Sequence, residues 1–143
     1  MKTLSSLLLG GCTIAAVAFI LLGRRPAAAA PSGKAIYEDR CAICHESSGE
    51  GIPGTYPPLA QNPHVTADDP SAGIAAVLNG MLVDITVRGR RYVGGMPGWR
   101  AWLSDADVAA LMTYERTSWG NRASAVTPAQ VARIRGSTST ETP

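Results

Sequence analysis

Residues 41–45 read Cys41-Ala42-Ile43-Cys44-His45, a C-x-x-C-H pattern. Two thiols three residues apart stand about one helical turn from each other, so both can add to the vinyl groups along one porphyrin edge. The next residue then lies under the iron and offers a ring nitrogen. This is the attachment pattern of a c-type haem, with His45 as the proximal ligand. Two other uses of C-x-x-C fit less well. A zinc site wants two further ligands at zinc spacing, but the other cysteine, Cys12, lies in an apolar stretch and the other histidine is His64. A thioredoxin-like pair wants a strand before it, and no β-branched run precedes Cys41.

Working outward, residues 32–44 predict a first helix, because Gly33, Ile36, Tyr37, Arg40, Cys41 and Cys44 recur at steps of three and four. Gly49, Gly51, Pro53 and Gly54 make 46–54 a loop. Tyr56-Pro57-Pro58-Leu59 is a stiff extended stretch with free carbonyl acceptors. Residues 62–66 turn. Asp69-Pro70 predicts a helix start with Asp69 as cap and Pro70 in first position; Ile74, Val77 and Leu78 face inward and Asn79-Gly80 stops it. Residues 81–92 alternate weakly, suggesting a short hairpin about Arg88-Gly89. Gly94 to Trp99 reads as neither helix nor strand. Ser104-Asp105-Ala106-Asp107 caps a helix running to about Trp119, with Val108, Leu111, Met112 and Tyr114 inward and Gly120-Asn121 closing it. Thr127-Pro128 opens a last helix through Arg135, with Val131 and Ile134 inward. Residues 136–143 read as a frayed tail. No internal repeat is visible, so one haem and one domain are expected.

A haem iron has a sixth position to fill. Met112 falls on an apolar helix face and reads as core. Met96 stands among Gly94, Gly95, Pro97 and Gly98, where glycines let the backbone approach a porphyrin face and Pro97 stiffens the approach. The sequence favours Met96 as the second axial ligand; Met81, His64 and an open site remain as alternatives.

The chain has 143 residues and 45 % apolar composition, yet one Phe against 15 Gly and 10 Pro. A loop-rich domain so poor in large side chains needs the apolar volume a haem supplies. Residues 4–22 carry no charge, with Lys2 before them and Arg24-Arg25 after. This is an export signal. A retained anchor needs about 20 apolar residues, which this run just reaches; a cleaved signal would be cut near Ala27-Ala28-Ala29. We read it as a retained N-terminal anchor with cleavage as the alternative. Both place the remainder outside the cytoplasm. Three of the 13 basic residues lie in the first 30, where there is no acid; the other ten face eleven acids. The near-neutral remainder gives no reason to expect nucleic acid as a partner. The divisions are 1–25 export signal or membrane anchor, 26–32 linker, 33–122 domain, and 123–143 short helix and tail.

These residues resemble a class I cytochrome c, over roughly 33–120. In that family a Gly-x-x-x-aromatic on the first helix crosses a Leu-x-x-Tyr on the last, as Gly33-Lys34-Ala35-Ile36-Tyr37 and Leu111-Met112-Thr113-Tyr114 could. Pro57-Pro58-Leu59 is similar to the family's proline-to-leucine segment, which implies that the Pro57 carbonyl takes the Nδ1–H of His45 and leaves Nε2 for iron. It implies contact of Leu59 with the haem. The Gly-Met-Pro context of Met96 is similar to the family's ligand loop. The implied fold is all-α, four or five short helices around one haem, with Gly/Pro-rich loops and the hairpin near 83–92. Residues 56–63, 94–97 and 114–121 further resemble the cytochrome domains of membrane-bound alcohol and sugar dehydrogenases.

The implied function is an electron carrier with one covalent haem c, not an enzyme, working between a dehydrogenase and a respiratory acceptor on the periplasmic side of the bacterial inner membrane. The alternatives are a five-coordinate haem enzyme or gas sensor, and a fixed electron-transfer subunit of a membrane complex. Arg88, Arg90, Arg91 and Arg100 lie within eight residues of Met96, with no acid between Asp84 and Asp105. This cluster is a solvated face, or steers an acidic partner. One of these arginines, or Trp99 through its indole N–H, would neutralise a haem propionate.

Overall fold

A computed structural model describes residues 31–137. The readings of 1–30, including the anchor, Cys12 and the cleavage site, lie outside the described residues, as does the tail from 138. No helix among the described residues is long and apolar enough to cross a membrane.

Five helices and one hairpin follow in order: α1 Gly33–Arg40, α2 Ala42–His45, α3 Ser71–Asn79, β1 Met81–Val87, β2 Arg90–Met96, α4 Asp105–Thr117 and α5 Pro128–Ser137. The predicted first helix is broken at Cys41, whose φ of −111° departs from helical geometry. The chain recovers at once, since both Cys44 and His45 donate their N–H to the Cys41 carbonyl. Ser32 caps α1 through its hydroxyl. α3 begins one residue later than expected, with Asp69 bonding the Ser71 backbone from outside the helix. Ser104 and Asp107 form the expected reciprocal capping pair on α4.

The hairpin is longer than its alternation suggests. Seven residues on each strand pair, from Met81 opposite Met96 to Val87 opposite Arg90. Gly94, Gly95 and Met96, read from sequence as neither helix nor strand, belong to β2, and the domain is helical with a small antiparallel sheet. Ladder pairing is a backbone property, so glycines can take part without an alternating pattern. The turn is set by Arg88 and Gly89, both at positive φ.

α1 crosses α4. A side chain at Gly33 would meet the Ala110 carbonyl oxygen at 2.0 Å, so only glycine allows this approach. The main core gathers Ile36, Tyr37, Ile74, Val77, Leu78, Val108, Leu111, Met112 and Val131. A second cluster of Val83, Val87 and Tyr92 lies on the hairpin. Met96 packs against both.

Candidate haem-binding site

The C-x-x-C-H stretch is held from three sides. α1 feeds it from above, with the Cys41 N–H on the Tyr37 carbonyl at 2.9 Å. The loop after it folds back: Gly51 donates to the His45 carbonyl at 2.9 Å, while Leu59 and Ala60 donate to Gly49 at 2.8 and 2.9 Å. Gly51 adopts φ +64°, and a side chain there would strike the Tyr56 and Pro57 oxygens. The extended segment 56–59 is thereby pressed against the histidine. His45 Nδ1 stands 2.9 Å from the Pro57 carbonyl oxygen and donates to it. Burial holds His45 below the ordinary histidine range, and the Pro57 bond pulls the other way. The ring is neutral, which iron requires, and Nε2 is left free. The other carbonyls of this segment, expected free, are also engaged: Pro58 by Asn62 Nδ2 at 2.7 Å and Leu59 by Asn121 Nδ2 at 3.0 Å.

An aromatic triad backs the motif. Tyr37, Tyr114 and Trp119 have ring centroids 4.8 to 5.5 Å apart, a geometry that adds to their burial. The Tyr37 hydroxyl donates to the Glu46 carbonyl at 2.6 Å and the Trp119 indole to that of Ser47 at 3.0 Å. Both bonds fix the residues just after His45. Cys41 is buried, its thiol pushed up to about 12, first by desolvation and then by the charges of Glu115 and Cys44.

Met96 leaves β2 against the end of α3. Trp99 and Arg100 donate backbone N–H groups to the Val77 and Leu78 carbonyls at 2.9 Å, capping acceptors that the helix leaves open. Side chains at Gly80 or Gly98 would collide with this junction at 2.5 Å. Met96 and Trp99 are half-buried against the core. The Arg40 guanidinium lies 5.6 Å from the Trp99 ring centroid, and the Trp99 indole N–H has no partner among the described residues. Of the other ligand candidates, His64 is an exposed turn residue, Met81 is 38 % exposed, and Met112 is buried core.

Sequence reasoning missed two buried charges. Glu115 and Arg116 are 7 % and 1 % exposed. They fall four residues after Leu111 and Met112 on the same stripe, a signal their polar type argued against. It also left the arginine cluster open. Arg88 pairs with Glu50, Arg91 with Asp84 through two bonds, and Arg100 with Asn79 and the Arg135 carbonyl.

The donor set suits a c-type haem. Two thiols lie one turn apart, a neutral imidazole is oriented by a backbone carbonyl, and a methionine stands on a rigid junction. Among the described residues, no group of three or more His, Cys, Asp or Glu could hold a metal ion alone. The cytochrome c family model matches residues 30–119. The chain belongs to the cytochrome c family. It is 35 % identical over 105 residues to the cytochrome c subunit of the quinone alcohol dehydrogenase of Gluconobacter oxydans, covering 73 % of this chain and 22 % of that one. It is 39 % identical over 110 residues to cytochrome c-552 of Thermus thermophilus, covering 73 % and 71 %. It is 37 % identical over 108 residues to the gluconate 2-dehydrogenase cytochrome c subunit of Pantoea cypripedii, covering 73 % and 24 %. The chain thus spans about a fifth of the length of the alcohol dehydrogenase relative. Its relatives are cytochromes and cytochrome subunits, electron-transfer proteins rather than catalytic subunits, and the family binds haem c covalently.

Proposed function

We propose that the chain carries one haem c, joined through thioethers at Cys41 and Cys44, with His45 Nε2 and the Met96 sulfur as axial ligands. It passes single electrons between a membrane-bound dehydrogenase and a respiratory acceptor on the periplasmic side of the bacterial inner membrane, held there by the 1–25 segment. The haem supplies a reversible one-electron couple whose potential is raised by thioether ligation. The protein's own groups do the rest. The Pro57 carbonyl keeps the proton on His45 Nδ1, fixing tautomer and ring plane. The junction of Met96 with α3 holds the sulfur in place and leaves no open coordination site for substrate chemistry. Leu59 adds apolar packing, and the Trp99 indole N–H is available to a propionate. The observation that carries the reading is the 2.9 Å contact between His45 Nδ1 and Pro57, which prepares the imidazole for a metal. The relatives named as dehydrogenase subunits favour a second reading, permanent residence in such a complex.

The test is Met96→Ala. The variant should keep its haem through acid–acetone extraction, since attachment rests on Cys41 and Cys44. It should bind carbon monoxide in the reduced state and lose the weak long-red band of iron–thioether ligation. If Met81→Ala or His64→Ala has this effect and Met96→Ala does not, the ligand assignment falls. Intact mass of the purified protein gives the haem count and shows whether the leader is retained. Co-purification from solubilised membranes separates a free carrier from a fixed subunit.

A further inference from the structure

α4 carries one buried group that electron carriage leaves unused. Glu115 shares the inward stripe of Val108, Leu111 and Met112, and among the described residues no cation pairs with its carboxylate. Its charge is felt by Cys41, the first attachment cysteine, and by the Tyr37 phenol. The carboxyl therefore lies near Cys41, the residue that would carry one edge of the haem.

We propose that Glu115 is a redox-linked proton-binding site, which takes up one proton from water when the haem gains one electron and releases it when the electron leaves. This rests on the electron-carrier reading. The balance is one electron from a reduced redox protein and one proton from solvent: ferric haem and Glu115 carboxylate become ferrous haem and Glu115 carboxylic acid. In a low-dielectric interior two uncompensated charges couple strongly. Ferric iron favours the carboxylate, and removing that positive charge favours the acid. The linkage is reciprocal, so the proton raises electron affinity as much as the electron raises proton affinity.

Other ionisable groups do not take this role. From α1, Tyr37 is buried, its phenol raised far beyond neutral pH by desolvation, and its hydroxyl is committed to Glu46; Lys34 and Glu38 pair at the surface. Cys41 is a thioether once haem is attached. α3 has no ionisable side chain. On α5, Arg133 is exposed and Arg135 pairs with Asp105. On α4 itself, Asp107 is bound to Ser104 and Arg116 to the Val65, Ala67 and Ser124 carbonyls. Desolvation pushes the Glu115 carboxyl up to about 8, so its titration falls where a cytochrome works. Every fully enclosed side-chain polar atom among the described residues has a partner. The unbonded carboxyl of Glu115 accordingly reaches the edge of the packed interior, where water can deliver a proton.

The test is the midpoint potential of the purified holoprotein as a function of pH, with the haem spectrum recorded at each point. The potential should fall as pH rises through the Glu115 titration. The slope should approach the one-electron limit, in which a tenfold change in proton concentration is worth about 59 mV. Glu115→Gln, which keeps size and polarity, should flatten that fall and hold the potential near the parent's acid-side value. Reduced-minus-oxidised infrared spectra should show a protonated-carboxyl C=O band in the parent that is missing from the variant. A parent with an intact six-coordinate spectrum and a flat potential overturns the proton site alone, as does an unchanged slope in Glu115→Gln. Should Glu115→Gln fail to hold haem, Glu115→Met takes its place: a flattened slope and a missing infrared band are expected, and an unchanged slope overturns the proton site. A parent without haem removes the function and this proposal together.

Discussion

Arg116 lies inside the protein, 1 % exposed, without a carboxylate partner among the described residues. Its guanidinium instead gathers the Val65, Ala67 and Ser124 carbonyls at 2.7 to 2.9 Å and the Ser124 hydroxyl at 3.2 Å. A planar fork with weak hydration suits this task better than an ammonium, and the loop carbonyls would otherwise be buried without donors. Arg116→Met should cost about 3 kcal/mol, the upper end for hydrogen bonds to a charged group, seen as a lower denaturation midpoint. Arg116→Lys should recover only part of it. An unchanged midpoint in Arg116→Met would show that the loops do not depend on the guanidinium. Its neighbour Glu115 makes a pH argument with the reverse of the usual carboxylate sign. Burial raises its folded value to about 8 from an ordinary 4.5. Between these values the folded chain holds a proton that the unfolded chain has lost, so this contribution to stability falls as pH rises through the window and levels above it. Glu115→Gln should therefore differ little from the parent near pH 5 and be the more stable protein near pH 9. Thermal unfolding at a series of pH values checks this; a difference that does not change with pH would mean that the carboxyl is not held protonated.

Between elements, the contact that matters most for the iron is the seat of β2 on the end of α3. Gly80 adopts φ +73°, and its missing side chain leaves room for the Met96 carbonyl. Gly80→Ala should cost about 1–3 kcal/mol for the backbone alone, because positive φ with extended ψ is a region essentially only glycine adopts. Its added methyl group would also push Met96, Pro97 and Gly98 off the helix. We expect haem attachment to be unaffected, the iron–thioether band to weaken and carbon monoxide binding to appear, though less than in Met96→Ala. A full long-red band in Gly80→Ala would show that Met96 is positioned independently of α3. The helices were legible because 3.6-residue periodicity and caps such as Ser104 are local signals. The meeting of α1 with α4 was legible only by resemblance, since no local signal says that Gly33 will face Ala110. The second half of β2 was not legible at all. Gly94 and Gly95 carry no side chain to alternate, and what pairs them is their anchoring at both ends, on the Arg88-Gly89 turn and on α3. The site divides the same way: the thiols and His45 are a contiguous motif, whereas the grip of Asn121 on Leu59 and Gln61 joins residues 62 and 60 positions apart.

At the scale of the whole molecule, charge decides how a partner is met. Four arginines clustered near Met96 in sequence suggested steering of an acidic protein. In three dimensions two of those four charges are paired with carboxylates. Arg88 is neutralised by Glu50 and Arg91 by Asp84, with both pairs largely exposed, while Arg100 turns to Asn79 and the Arg135 carbonyl. Arg90 has no carboxylate within 4 Å among the described residues. The hairpin's outer face, opposite the one that carries Arg90, shows Leu82 at 92 % and Val93 at 63 % exposure. Paired charges a few ångströms apart look like dipoles from a distance, and their fields fade before an approaching protein feels them. Long-range attraction also weakens within about 10 Å at 0.1 M salt. The expectation follows that electron transfer with a physiological partner changes little between about 0.01 M and about 0.15 M ionic strength, where the screening length shrinks from about 30 to about 8 Å. Stopped-flow oxidation of the reduced holoprotein by a solubilised membrane acceptor would measure it. Arg90→Glu should then shift the rate only modestly. Glu50→Gln together with Asp84→Asn, which unmask Arg88 and Arg91, should create a salt dependence that the parent lacks. A steep fall of the parent's rate with salt would mean that the ion pairs open during encounter and that the arginines do steer.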